Sequence, residues 1–377
     1  MIGLAWKFIR FDRSKSIGVI TAIVISIFLI GQQLSLMFYL MGLMGNLVGN
    51  APVNSNQIWI IEGQSNNVNS INLIDQRYVQ EIGSLNGVIQ AHPIVLAPAQ
   101  ATFLDGKTGA ITLVGSQSPR FLAGPIQERI KEGEVANLMQ PYSVSAEVYN
   151  AKNWETNLYL GQPLEINGKS AQIGVVTENA QAFGASYMYT DIHNARFFGN
   201  ISPSKVSIIV AELEDASLKE GVIGAINSQY PNLRAWDVEK LRNSSVSEIL
   251  ITSNMGMSFG TLVVFAMISG FFIIGLTLYS SALDRIKDYG TLKAIGAKKA
   301  FVNKLIITQA FLYALIGYVL AMVLLVGFKI GVAGSGLTID LNFLFCLFLF
   351  LVTLFISIGG SLFAVRKISK LEPASVF

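Results

Sequence analysis

Cysteine occurs once in this 377-residue chain, at Cys346, and histidine twice, at His92 and His193. A single thiol excludes a disulfide framework, so any folded part must rest on its own packed core. The histidines are far apart, and neither has a second ligand at metal-binding spacing, which leaves each an ordinary structural role. No His-Glu-x-x-His motif is present, and the one Gly-x-Ser-x-Gly spacing, Gly256 to Gly260, lies inside a long apolar run and not on a strand-to-helix turn, so the sequence offers no hydrolase signature. Charge is scarce as well. Only 14% of residues are charged and 52% are hydrophobic, whereas soluble domains carry about one quarter charged residues.

The missing charge is concentrated in four places. No charged residue occurs at 16–61, 249–283, 305–328 or 341–365. Each run supplies the roughly 20 apolar residues that an α-helix needs to cross a bilayer. No ionisable residue sits at the centre of any run, which argues against an ion-coupled transporter or a proton channel. The polar residues there are hydroxyls and amides, such as Gln32, Gln33, Ser35, Ser269, Thr277 and Ser357. Cys346 lies within the fourth run and reads as inert.

Lys7, Arg10, Arg13 and Lys15 precede the first run. Arg285, Lys287, Lys293, Lys298, Lys299 and Lys304 separate the second from the third, and Arg366, Lys367 and Lys370 follow the fourth. The positive-inside rule then places both termini and the 284–304 loop in the cytoplasm. The block 50–248 carries a net charge of −6 against +9 for the rest, which places it outside. The basic, apolar start reads as an uncleaved anchor, because its apolar run is too long for a signal peptide.

These features predict a multi-pass α-helical protein of the cytoplasmic (inner) membrane, with four transmembrane helices and a large α+β extracytoplasmic domain between the first two. A cytoplasmic interfacial helix is expected at 1–15, then a first span and stalk at 16–49. The outer, periplasmic domain is expected at 50–236, with two lobes and an insertion at roughly 110–185. A stalk and second span follow at 237–283, read as one continuous helix, then a cytoplasmic helix and loop at 284–303. The third span is expected at 304–328, a short outer turn at 329–340, the fourth span at 341–365 and a cytoplasmic tail at 366–377.

Within the outer domain, 57–61, 88–95, 99–104, 110–115, 164–166, 172–176, 187–189, 206–212 and 233–236 read as strands. Residues 71–84, capped by Asn69 or Ser70, read as a helix, as do 191–198 and 218–229. Ala101-x-x-x-x-Gly106-Lys107-Thr108 imitates a phosphate-binding loop. Such a loop must open a helix, whereas the strand-like Ile111-Thr112-Leu113-Val114 follows here, so a hairpin turn is expected. Glycines of the first two spans suit close helix packing or a dimer face.

The segment from Arg285 to Ala297 is basic and amphipathic. On a helix starting at Asp284, the side chains of Ile286, Tyr289, Leu292 and Ile295 recur at three- or four-residue spacing, with Arg285, Asp288 and Lys293 on other sides. Gly290 is costly inside a helix, and Gly296 is a natural cap before Ala297. Physics alone leaves anionic lipid and a soluble protein as equally good partners for such a helix.

Arg-x-x-Asp-Tyr-Gly-x-Leu-Lys-Ala-Ile-Gly-Ala, on Arg285 to Ala297 after a spanning helix, resembles the signature of ABC-transporter permeases of the MacB/FtsX/LolC type (type VII). The ending Leu371-Glu372-Pro373-Ala374-Ser375-Val376-Phe377 resembles the C-terminus of that family. The Val-Phe ending and the lack of a fused ATPase look most like the DevC-like branch. The resemblance implies a non-catalytic homodimeric subunit that binds no cofactor of its own, ATP and Mg being held by a separate cytoplasmic ABC ATPase. It implies mechanotransmission to the outer domain, efflux with a periplasmic adaptor (membrane fusion) protein and an outer-membrane channel, and no nucleic acid. By the same resemblance Ile286, Tyr289, Leu292 and Ile295 would be apolar contacts to the ATPase, with Arg285, Asp288 and Lys293 as rim charges. Two alternatives share these features: FtsX-like signalling to a cell-wall hydrolase, and lipoprotein or lipid release.

Overall fold

The computed structural model describes residues 1–11, 13–69, 72–184 and 186–369. The motif at 371–377, and Ser70 and Ile71 of one expected helix start, lie outside the described residues. The chain divides into two compact units, residues 1–39 with 256–377, and residues 40–255.

The first unit is helical. It holds α1 (Ile2–Phe11), most of α2 (Arg13–Met44), α9 (Met255–Asp284), α10 (Ile286–Ala294), α11 (Lys299–Ala333) and α12 (Phe343–Ser369). Arg13–Met44, Met255–Ser281, Ala300–Ala333 and Phe343–Leu362 are each long and apolar enough to cross a bilayer. In lipid a helix satisfies its own backbone, so association depends on close packing and cross-helix hydrogen bonds. Ile23, Ile27 and Ile30 of α2 meet Ile274 and Leu278 of α9, Ala310 and Tyr313 of α11, and Leu349 of α12. Ser357 Oγ donates to the Ala310 carbonyl at 2.8 Å, and the Ser16 and Tyr313 hydroxyls share a bond of 2.8 Å.

The second unit is an α+β domain, lying in sequence between the first and second candidate spans. Its strands are β1 (Gln57–Glu62), β2 (Ile74–Asp75), β3 (Val88–Phe103), β4 (Thr108–Ser116), β5 (Ile130–Gly133), β6 (Ser143–Glu147), β7 (Pro163–Ile166), β8 (Lys169–Thr177), β9 (Tyr187–Asp191), β10 (Lys205–Val206), β11 (Ile208–Leu213) and β12 (Leu233–Asp237). Ten of them form one sheet in the order β12-β1-β11-β3-β4-β9-β6-β8-β5, with β7 joined to β3 and β8. The strands of 110–185 therefore continue the sheet instead of building a second lobe, because β4 pairs in parallel with β9 and β7 pairs with β3.

Alternation along the strands gives this sheet two apolar faces. Ile58, Ile60, Val95, Ala97, Ile209 and Ala211 bury one face under α4 (Arg77–Gly83), α6 (Ile192–Gly199) and α7 (Lys219–Gln229). Trp59, Ile61, Val114, Tyr189 and Val210 bury the other under Leu47 and Val48 of α3 (Asn46–Gly49), and Val238 and Leu241 of α8 (Val238–Thr252). Since α3 and α8 pack into this core, the domain reaches beyond the expected 50–236. A further short helix, α5 (Val148–Asn153), follows β6.

Three other expectations change. The strands expected at 88–95 and 99–104 are one strand running through Pro93 and Pro98. Pro93 pairs only with β11 and Pro98 only with β4, so each lies where β3 has one neighbour and a missing N–H need break no ladder. The helix expected over 71–84 is confined to α4, after the short strand β2. The continuous helix expected from 237 onward is two helices, separated where Asn254 takes a left-handed φ of 54°. The hairpin expected with its turn at 105–109 is found with the turn at 104–107, where Phe103 N–H donates to the Lys107 carbonyl at 2.8 Å.

The Glu147 carboxyl group is deeply buried in the second unit. Glu147, at the end of β6, accepts hydrogen bonds from Thr177 Oγ1 at 2.8 Å, Asn179 N–H at 3.0 Å and Ala180 N–H at 2.9 Å. The carbonyls of the loop it anchors are held in turn by α3. Asn50 donates to Ala180 O at 3.1 Å, and Asn46 to Gln181 O at 2.6 Å. Burial outweighs these donors and raises the Glu147 pKa from 4.5 to about 7. The folded state thus binds this proton more tightly than the unfolded chain. Its contribution is fully present below about pH 4.5 and is lost as the pH rises to about 7. The loss amounts to about 3 kcal/mol. Thermal unfolding of the full chain between pH 4.5 and 8 should show this decline, and Glu147→Gln should flatten it.

Candidate functional site

The segment between the second and third candidate spans folds as a corner and a short helix. Residue Asp284 closes α9, Arg285 turns the chain, and Ile286 opens α10, so the helix expected from Asp284 to Ala297 is the nine-residue Ile286–Ala294. Its end has a clear cause. Gly296 adopts φ 101°, where a side chain would be strained, and Ala297 N–H donates to the Leu292 carbonyl at 2.9 Å. That bond closes a Schellman cap, in which Leu292 and Ala297 are the usual apolar pair.

The apolar stripe splits into two roles. Tyr289 is 2% exposed and packs with Ala5, Val302, Leu305 and Ile306. Burial pushes its phenol up to about 12. Its ring stacks on Phe8 of α1 with centroids 6.0 Å apart. Gly290 is also buried, and Ile286 and Leu292 are half-buried. Ile295 is 81% exposed. Tyr289 and Gly290 therefore hold α10 to its own unit, while Ile295 is free to meet a partner.

The charges divide likewise. The Arg285 guanidinium lies 4.9 Å from the Phe8 ring and donates to the Phe8 carbonyl at 3.0 Å. It clamps α1 to the corner, and the ion pair between Lys15 of α2 and Asp284 ties the first long helix to the same place. Asp288 and Lys287 are exposed, and Lys293 falls within α10. Beside the cap opens a groove of about 800 Å³, lined by Met1, Leu292, Ile295, Gly296, Ala297 and Phe301 together with Lys298, Ala300 and Lys304. Such an apolar depression with basic neighbours can seat an apolar side chain of a soluble partner beside acidic groups. The contributions of Met1 and Phe301 were not legible in the sequence, because only folding brings them to the cap.

Residues 260–373 match the family model described as FtsX-like permease C-terminal. This three-span segment is similar to FtsX-type permeases. The match begins within α9, takes in α10 and the groove, and ends beyond α12. No curated protein matches the chain. Among solved structures, the extracellular domain of the noncanonic ABC-type transporter YknZ from Gram-positive bacteria aligns at 14% identity, with a TM-score of 0.36. The alignment covers 48% of this chain and 100% of that one. The periplasmic region of MacB from Actinobacillus actinomycetemcomitans aligns at 12% identity with a TM-score of 0.38, over 50% of this chain and 92% of that one. All of the groove's lining residues except Met1 lie within the matched segment.

Proposed function

We propose that this chain is the permease subunit of an ABC exporter of the MacB/FtsX type, in its DevC-like branch. It would work as a homodimer in the inner membrane, with both termini in the cytoplasm and the α+β domain in the periplasm. The carrying observation is the exposed Ile295 beside an open apolar groove, in a segment matched by the FtsX-like family model. A separate cytoplasmic ATPase binds ATP and Mg and docks on this corner. Closure of the ATPase pair moves α10, and the motion is passed along the helices to the outer domain, which drives efflux through an adaptor and an outer-membrane channel.

Co-expression with the cognate ATPase tests this reading. The ATPase should copurify with the chain in detergent and hydrolyse ATP in the complex, while the chain alone should hydrolyse none. A folded chain that captures no ATPase, or that hydrolyses ATP unaided, would overturn it.

A further inference from the structure

The inner face of α1 is fully engaged. Ala5 packs with Tyr289 and Leu305, Ile9 joins the core of the spanning helices, and Phe8 is held between Tyr289 and Arg285. What remains of α1 is an outer face of Ile2, Trp6, Lys7 and Arg10, all exposed, and the exposed Arg13 opens α2 just beyond it. Positions 2, 6 and 10 stack at helical spacing, so Ile2 and Trp6 continue directly into a basic end at Arg10. An apolar edge with Trp beside clustered Lys and Arg is the pattern of a helix lying in a membrane interface.

Connectivity supplies the level. Only one residue separates the end of α1 at Phe11 from the start of the first candidate span at Arg13. A helix tied so closely to a span, and clamped by Arg285 to the foot of another, cannot leave the bilayer surface. Its free charges are positive, which complements acidic headgroups and gives no preference for zwitterionic ones.

We propose that the outer face of α1 is a binding surface for anionic phospholipid, with Trp6 inserted at the acyl boundary and Lys7, Arg10 and Arg13 on the headgroup phosphates. The bound lipid braces α1, and α1 in turn braces the corner of α10 through Phe8, Arg285 and Tyr289. This surface is separate from the docking groove and is assigned without reference to an ATPase.

The full-length chain alone, reconstituted in nanodiscs of brominated phosphatidylglycerol, tests the proposal. Part of its tryptophan fluorescence should be quenched, and Trp6→Phe should remove that part, since Trp59, Trp154 and Trp236 remain. In mixed discs where only the phosphatidylglycerol is brominated, quenching should exceed that in the reverse labelling. Each of Lys7→Gln, Arg10→Gln and Arg13→Gln should lower that preference roughly fivefold, equivalent to about 1 kcal/mol per basic residue at an anionic surface. Equal quenching by phosphatidylcholine would overturn the proposal. So would a Trp6 signal that no lipid quenches, or one whose quenching disappears when an ATPase binds, which would assign the face to protein. None of these outcomes bears on whether the ATPase is captured.

Discussion

Ile295→Asp should abolish capture of the ATPase while leaving the chain folded. The side chain is 81% exposed and follows the last residue of α10, so its replacement disturbs no packing within the chain. In a complex it would place a carboxylate where an apolar anchor belongs. Anchors of this kind cost about 2–4 kcal/mol when lost, a decrease of roughly 30- to 1000-fold in affinity. Leu292→Asp should give the same loss but with a weaker fold, because Leu292 also packs against the cluster around Tyr289. The pair is informative for that reason. Copurification by affinity tag, with monodispersity of each variant as the control, separates docking from stability. Undiminished capture by Ile295→Asp would remove the docking role from this corner.

Gly360→Leu should prevent the helical unit from assembling. A Cβ at Gly360 would stand 3.0 Å from Gly275 N, 3.1 Å from Phe271 O and 3.2 Å from Gly275 Cα. All three are backbone atoms of α9, so no rotamer change can relieve the contact. Either α9 and α12 separate or the variant fails to fold. Overpacking a tight site costs about 1–3 kcal/mol, and here the obstruction is backbone rather than side chain. Separation also forfeits the close approach on which helix association in lipid depends. Gly260→Leu is the control, because a Cβ there meets nothing within 4 Å. Thermal unfolding in detergent should show a sharp drop for Gly360→Leu and little change for Gly260→Leu.

Much of the architecture was legible because it rests on local pattern. The four charge-free runs became helices because apolar length alone decides that outcome. The turn at 104–107 was readable from Asp105-Gly106 between two alternating stretches, and helices α6 and α8 from the acids Asp191 and Asp237, whose carboxylates cap them. What escaped depends on residues distant in sequence. The strands Ile130–Gly133 and Ser143–Glu147 are short and polar, and pairing with β8, together with β9 for the second, makes them strands. Prolines at 93 and 98 suggested an interruption that one-sided pairing avoids. At the candidate site the spacing of Ile286, Tyr289, Leu292 and Ile295 was visible, but their division was not. Tyr289 is turned inward by Ala5 and Phe8, near the other end of the chain, and no local periodicity reports that contact.

The buried Glu147 gives the α+β domain a chemical readout of its own movement. In the folded state it is about half protonated near pH 7, and its proton is held only while the loop at 178–181 stays seated on β6 and α3. Any rearrangement that lifts this loop returns the carboxyl to water, where it ionises, and about half a proton is expelled at that pH. Calorimetry in buffers of different ionisation enthalpy would register such a movement as heat that changes with the buffer, without a label on the protein.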